Sequence, residues 1–147
     1  MKIAVFFIVS CTYLFPAEFM VAGSDSSYNI IIHTTNPVSE LTVAKISTYF
    51  LKKSTKWGNG KTVNPVHLKR SSVIRKQFTQ EVIGKTPGRL ETYWQRQIFS
   101  GREVPPLEKP TDAEVIRYIQ ETPSAIGYVS KETKLDTSQV KILKVRK

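Results

Sequence analysis

The residue types best suited to bind an anion lie together between positions 70 and 75 of this 147-residue chain. Ser71 and Ser72 directly precede an amphipathic run, and Arg70 and Arg75 stand on either side of them. If Ser71 or Ser72 begins a helix, unpaired backbone N–H groups, hydroxyl groups and a guanidinium fork would all be available to an oxyanion. The same residues also suit an ordinary serine N-cap with solvent-exposed basic neighbours. The sequence leaves both interpretations open.

Other kinds of site find little support. His33 and His67 are the two histidines, and neither has a cluster of possible ligands at metal-binding spacing. Residues 58–62 end like a P-loop, but Thr55 stands where its first glycine belongs and an extended segment follows. No Gly-x-Ser-x-Gly elbow occurs, and Asp112 and Glu114 suit helix capping better than acid–base chemistry. We therefore predict a non-catalytic protein with no cofactor and no metal site.

The N-terminal segment has the pattern of a secretory signal. Lys2 precedes a short apolar run, and small residues occur around Ala22. This predicts a signal peptide over residues 1–22 and a periplasmic or secreted domain over residues 23–147. Polar residues interrupt the run, so it is a poor membrane span. A less favoured alternative is a lipoprotein in which Cys11, the single cysteine, is acylated.

The charge balance points to anionic partners. Lys and Arg number 22 against 12 Asp and Glu, which gives a net charge of +10. Phosphate-like ions, anionic lipid and nucleic acid are all compatible with this excess, as is a merely soluble basic surface. Nucleic acid is disfavoured because the basic residues are scattered, the aromatic residues suit a core, and a secreted protein seldom meets nucleic acid.

The rest of the sequence predicts strands and helices in the order β, α, β, α, α, α, β, β, which is typical of an α/β layer structure. Residues 28–33 are predicted to form a strand buried on both faces. Ser39 is predicted to cap a helix that runs to about Lys52. Residues 63–66 form a short extended segment, and Pro65 argues against a central strand there.

The second half of the chain predicts three further helices and two strands. The helix that begins at Ser71 or Ser72 carries an apolar stripe and ends near Gly84. A helix over residues 89–99 follows. Thr111 and Glu114 then form a capping box that opens the last helix. Residues 125–129 and 140–142 are predicted strands.

Several pieces occur in a characteristic order. They are a Trp-to-Gly turn at 57–60, Tyr93-Trp94 followed by Phe99 and Gly101, and Ala125-Ile126-Gly127-Tyr128 near the end. Over roughly residues 28–145, this ordered set resembles the phosphate ABC-transporter substrate-binding protein family, in particular its short, single-lobe members. The resemblance implies one lobe of a type 2 periplasmic binding protein, with a mixed sheet flanked by helices. It also implies possible oxyanion binding and a periplasmic location.

The anion-binding motif departs from the family pattern. Members typically present Ser-Gly-Thr followed by Arg at the start of a helix, and by position Ser72 and Arg75 match the Ser and the Arg. Val73 replaces the glycine that lets backbone N–H groups approach an anion closely, and Ile74 replaces the threonine hydroxyl. This predicts that phosphate binding is weakened, altered or lost. Ser71, Ser72 and Arg75 remain the candidate ligand-binding residues.

Three functional hypotheses follow. The first is a secreted binding module for phosphate or another oxyanion, with an ABC transporter permease as a possible partner. The second is an envelope structural or interaction protein that keeps the fold, has lost ligand binding, and contacts another protein or anionic lipid. The third, an enzyme, has the least support, because no residue set suits acid–base or nucleophilic chemistry.

Overall fold

The computed structural model describes residues 26–147. The predicted signal peptide over residues 1–22 and the acylation of Cys11 lie outside the described residues. The strands are β1 (Tyr28–His33), β2 (Glu40–Thr42), β3 (Asn64–Leu68), β4 (Leu107–Lys109), β5 (Ala125–Ser130), β6 (Val140–Ile142) and β7 (Lys144–Arg146). The helices are α1 (Val43–Phe50), α2 (Val73–Phe78), which continues as a π-helical segment (Thr79–Ile83), α3 (Pro87–Phe99) and α4 (Asp112–Glu121).

The main sheet has five strands in the order β4-β3-β5-β1-β6. β3 runs parallel to both β4 and β5, whereas β1 runs antiparallel to both β5 and β6. The sheet is therefore mixed and flanked by helices, as the sequence predicts. β2 and β7 form a separate two-stranded parallel sheet.

Helices cover both faces of the main sheet. A Cβ atom on Gly127 of β5 would meet Val115 and Ile119, so this face of the sheet packs against α4. The next residue, Tyr128, points to the opposite face, where its ring stacks on Phe78 of α2 with centroids 3.9 Å apart. α1 and α2 therefore cover the face opposite α4, and the buried core lies in both layers.

The segment after β3 is organised as the sequence predicts, with one addition. Ser72 is the N-cap of α2. The π-helical segment that continues α2 ends at Gly84, which adopts the left-handed conformation with φ of 70°. Phe78 and Val82 are buried on the predicted apolar stripe, and Ile74 packs against its edge. The wider π-helical turns over residues 79–83 were not predicted.

The predicted start of α1 is wrong. Thr42, not Ser39, is the N-cap, and its side chain accepts a hydrogen bond from the Lys45 N–H. Residues 40–42 instead pair with β7, so the helix cannot begin until that pairing ends. The partner strand is about a hundred residues away in the chain, so the local sequence carried no sign of it.

The expectation that residues 63–66 are not a central strand, which rested on Pro65, is also wrong. β3 lies between β4 and β5. Pro65 pairs with Ile126 of β5, while pairing with β4 begins only at Val66. The proline therefore lies at a position where the strand has a neighbour on one side only, and its missing N–H costs no ladder hydrogen bond.

None of the described helices is long and apolar enough to cross a membrane.

Candidate functional site

The loop over residues 69–72 joins the carboxyl end of β3 to α2. Ser72 Oγ accepts a hydrogen bond from the Arg75 N–H at 3.3 Å, and the Ser72 N–H donates to the Lys69 carbonyl at 3.0 Å. The Ser72 hydroxyl therefore serves as a helix cap. Ser71 is exposed, and its hydroxyl makes no hydrogen bond to any of residues 26–147.

Val73 lies at the surface of the protein, at the start of α2. Its side chain is 67% exposed, because it occupies the first turn of α2 on the side away from the sheet. The glycine position of the family motif is therefore filled here by a surface valine rather than by a packing residue.

Arg75 is buried and engaged with other groups of the chain. It is only 8% exposed, its Nη1 donates to the Leu68 carbonyl at 2.5 Å, and the same nitrogen lies 3.2 Å from Glu108 Oε1. The Leu68 carbonyl gives the buried Nη1 donor a hydrogen-bond partner, and the Glu108 carboxylate compensates the positive charge of the guanidinium. The side chain is thus fixed in place before any ligand arrives.

Arg70 approaches the same carboxylate from the solvent side. Its Nε lies 3.5 Å from Glu108 Oε1, and its Nη1 lies 2.9 Å from Glu91 Oε1. One oxygen of Glu108 is therefore shared by two guanidinium groups. That carboxylate oxygen occupies the kind of position that an oxyanion takes between two arginines.

A cavity of about 160 Å³ lies beside these groups. Its charged lining consists of three cations and two carboxylates: Arg70, Arg75, Lys76, Glu91 and Glu108. Neither Ser71 nor Ser72 lines it. The structure thus brings Arg70 and Arg75 together, whereas the two serines lie at the helix start, outside the cavity lining.

Sequence reasoning missed both carboxylates. Glu108 is 38 positions from Arg70 and lies on β4, a three-residue strand that was not predicted. Glu91 lies 21 positions away on α3. No local pattern signals a contact over such distances, and only the packing of β4 beside β3 brings Glu108 to the site.

His67 lies next to this site but belongs to the core. It is fully buried in β3, its Nδ1 lies 2.9 Å from the Tyr128 hydroxyl, and its ring packs 4.9 Å from that of Phe50. Burial, together with the positive charge of Arg75, lowers the pKa of His67 well below its usual value. The imidazole is therefore neutral, in keeping with the predicted structural role.

The other sequence features serve structural purposes. Residues 58–62 form a turn between the paired residues Lys56 and Thr62, with no helix after it, so they are not a P-loop. Asp112 Oδ2 accepts hydrogen bonds from the Ser130 N–H and the Thr133 hydroxyl, and Thr111 caps α4. Among the described residues no group of three or more His, Cys, Asp or Glu side chains could hold a metal ion.

No family model matches the sequence, and no curated protein is similar to it. Solved structures do match. A candidate phosphate ABC transporter substrate-binding protein from Clostridium perfringens, solved with bound phosphate, superimposes with a TM-score of 0.63 at 24% identity, over 81% of this chain and 44% of that one. An ABC-type phosphate transport receptor from Vibrio cholerae gives 0.61 at 20% identity, over 81% and 46%. PstS from Borrelia burgdorferi gives 0.60 at 16% identity, over 82% and 47%.

These similarities establish the fold. The chain folds like part of each of these three proteins and spans less than half the length of each. The predicted single-lobe α/β architecture is therefore confirmed.

Proposed function

We propose that this protein is a secreted or periplasmic, non-catalytic binding module that takes phosphate or another oxyanion in connection with ABC transport. The shared fold supports this proposal, because the structures from Clostridium perfringens and Vibrio cholerae are described as a phosphate ABC transporter substrate-binding protein and a phosphate transport receptor. The signal pattern over residues 1–22 and the net charge of +10 agree with it.

The observation that carries the proposal is the convergence of two guanidinium groups. Arg70 and Arg75 meet at the carboxyl ends of the parallel strands β3 and β4, next to the start of α2. Open α/β sheets bind ligands at this edge, where helix N-termini and loops face the crevice. The proposed ligand-binding residues are Ser71, Ser72 and Arg75, with Arg70 as the second guanidinium.

Glu108 sets the strength of binding in this proposal. Its carboxylate already lies between the two guanidinium groups, so an incoming oxyanion meets a like charge and must displace it. This explains why we expect weak binding by the wild-type protein, in addition to the effects of Val73 and Ile74.

The test is titration calorimetry with phosphate and with sulfate. We expect Glu108→Gln to bind phosphate at least roughly tenfold more tightly than the wild type, because it removes a like charge beside the ligand without changing the side-chain shape. Glu91→Gln is the matched control, since among residues 26–147 the ion pair of Glu91 is with Arg70 and not with Arg75, and it should give a smaller gain. Adding Ser72→Ala or Arg75→Ala to Glu108→Gln should remove the gain.

An absence of heat at millimolar anion in both the wild type and Glu108→Gln would exclude ligand binding at this site. The second candidate function would then stand: an envelope interaction protein that keeps the fold without the ligand. The observation that favours it is that the Ser72 hydroxyl oxygen already accepts a hydrogen bond from the Arg75 N–H, and Arg75 Nη1 already donates to the Leu68 carbonyl. Co-purification of one specific envelope partner, with no rise in melting temperature on adding phosphate, would support it.

A further inference from the structure

We propose that the exposed face of α3 and the turn after it dock onto an anionic lipid surface. The face consists of Arg89, Thr92, Arg96 and Phe99, and the turn adds Arg102. We call these five residues the α3 docking face. The inference is independent of oxyanion binding near Arg75.

The spacing places these side chains on one side of the helix. Positions 89, 92, 96 and 99 are separated by three, four and three residues, which aligns them along a single stripe. Leu90 and Trp94 lie on a different side of α3 and are buried in the core. The packing of α3 therefore fixes which side faces solvent.

The cations of this face have no compensating carboxylate. None of Arg89, Arg96 and Arg102 forms an ion pair with any acid of residues 26–147. The acids nearest in sequence are engaged elsewhere: Glu91 contacts Arg70 at 2.9 Å, and Glu103 contacts Lys52 at 3.7 Å. The charges of the face are thus free to act on an external anionic surface.

A groove beside the face adds a further cation. Lys85 lines it together with Arg89 and Arg96, and no acidic residue is among the lining side chains. The Lys85 ammonium lies 5.9 Å from the centre of the Tyr93 ring, which holds it close to α3.

Apolar side chains project beside these cations. Phe99 is 91% exposed, and Ile98 and Val104 on either side of the turn are 52% and 60% exposed. Several exposed apolar side chains close together in the chain, with polar residues around them, are typical of a protein or membrane interaction site. A projecting apolar tip surrounded by arginines matches a lipid interface, where the ring enters the acyl boundary and the guanidinium groups meet the lipid phosphates.

The experiment is co-sedimentation of residues 23–147, which contain the whole described core, with lipid vesicles. We expect binding to vesicles of phosphatidylcholine mixed with phosphatidylglycerol, little binding to phosphatidylcholine alone, and loss of binding at high salt. Arg89→Gln with Arg96→Gln should weaken binding roughly 30-fold. Phe99→Ser should weaken it roughly tenfold, since the apolar contact is lost while every charge remains.

The control separates this face from the general basic charge. Arg117→Gln with Lys134→Gln also removes two positive charges, but Arg117 lies on α4 and neither residue belongs to the α3 docking face; both residues are exposed. It should leave binding within about twofold of the wild type. Equal weakening by both double variants would overturn the proposal, as would failure of the wild type to bind anionic vesicles at low salt.

Phe99→Trp gives a direct readout of insertion. Its indole should shift its fluorescence to shorter wavelength when anionic vesicles are added, because the ring leaves water for the acyl boundary. Binding without such a shift would contradict the role of residue 99, and the surface would then be an electrostatic site only.

Discussion

At the scale of single residues, the site and the core share one short stretch of chain. The Leu68 carbonyl accepts a hydrogen bond from Arg75. The preceding residue, His67, contacts Tyr128 in the aromatic core. His67 Nε2 is buried without a hydrogen-bond partner among the described residues. A proton added to this ring would have to be held in an apolar surrounding with a positive guanidinium nearby, which is unfavourable.

This arrangement predicts a loss of stability in mild acid. The pKa of His67 is lowered in the folded protein, so below the ordinary histidine value of about 6.5 the unfolded chain binds more protons than the folded one. Its contribution to stability is therefore complete above that pH and is lost as pH falls, with a slope approaching about 1.4 kcal/mol per pH unit. Urea unfolding between pH 7 and pH 5 measures the slope.

His67→Gln keeps a polar group opposite the Tyr128 hydroxyl but cannot titrate, so the slope should decrease. His33→Gln, which removes the other histidine, is the comparison. If the slope disappeared in His33→Gln and persisted in His67→Gln, the buried histidine would not be its source.

At the scale of elements, the start of α2 distinguishes two adjacent serines of identical chemistry. Ser72 caps the helix with its hydroxyl, whereas the Ser71 hydroxyl faces solvent. Ser72→Ala should therefore lower the free energy of unfolding by about 1 kcal/mol. Ser71→Ala should change it by less than about 0.5 kcal/mol.

Urea denaturation of the two variants, without added anion, checks this difference. The same two variants also separate stability from ligand binding. If the Ser71 hydroxyl contacts the oxyanion, Ser71→Ala should lower the affinity for the anion without changing the free energy of unfolding. Equal destabilisation by the two substitutions would mean that the cap is shared or misassigned.

At the scale of the whole molecule, the main sheet packs so closely against α4 at Gly127 that a side chain would not fit there. A Cβ atom there would lie 2.8 Å from Val66, 2.9 Å from Val115 and 3.1 Å from Ile119. These side chains are fully buried and cannot move freely, so the added methyl group must displace Val66 of the neighbouring strand or move α4 away from the sheet. The close approach of the two layers therefore depends on a residue without a side chain.

Gly127→Ala should destabilise the protein by about 1–3 kcal/mol, measured by urea or thermal unfolding. Gly58→Ala is the control, because a Cβ atom at Gly58 would meet nothing within 4 Å. A Gly127→Ala variant as stable as Gly58→Ala would show that α4 and the sheet pack less closely at Gly127 than these distances indicate.

The sequence by itself determined the features that depend on near neighbours. The Thr111 cap, the buried β1 strand and the helix end at Gly84 appear where they were predicted, and the cap predicted at Ser71 or Ser72 is at Ser72. Caps, apolar periodicity and left-handed glycines act within one or two turns of the chain, so their signals are local. The resemblance to one lobe of a phosphate-binding protein was also visible in the order of short motifs.

Only the tertiary structure decided what surrounds the candidate site. It placed Glu108 between Arg70 and Arg75, made β3 a central strand despite Pro65, and left Val73 and Phe99 exposed. Each of these outcomes depends on which distant segment packs beside a residue, and in the case of Arg70 and Glu108 the separation is 38 positions. Neither propensity nor periodicity carries that information, because both describe a segment without its neighbours in space.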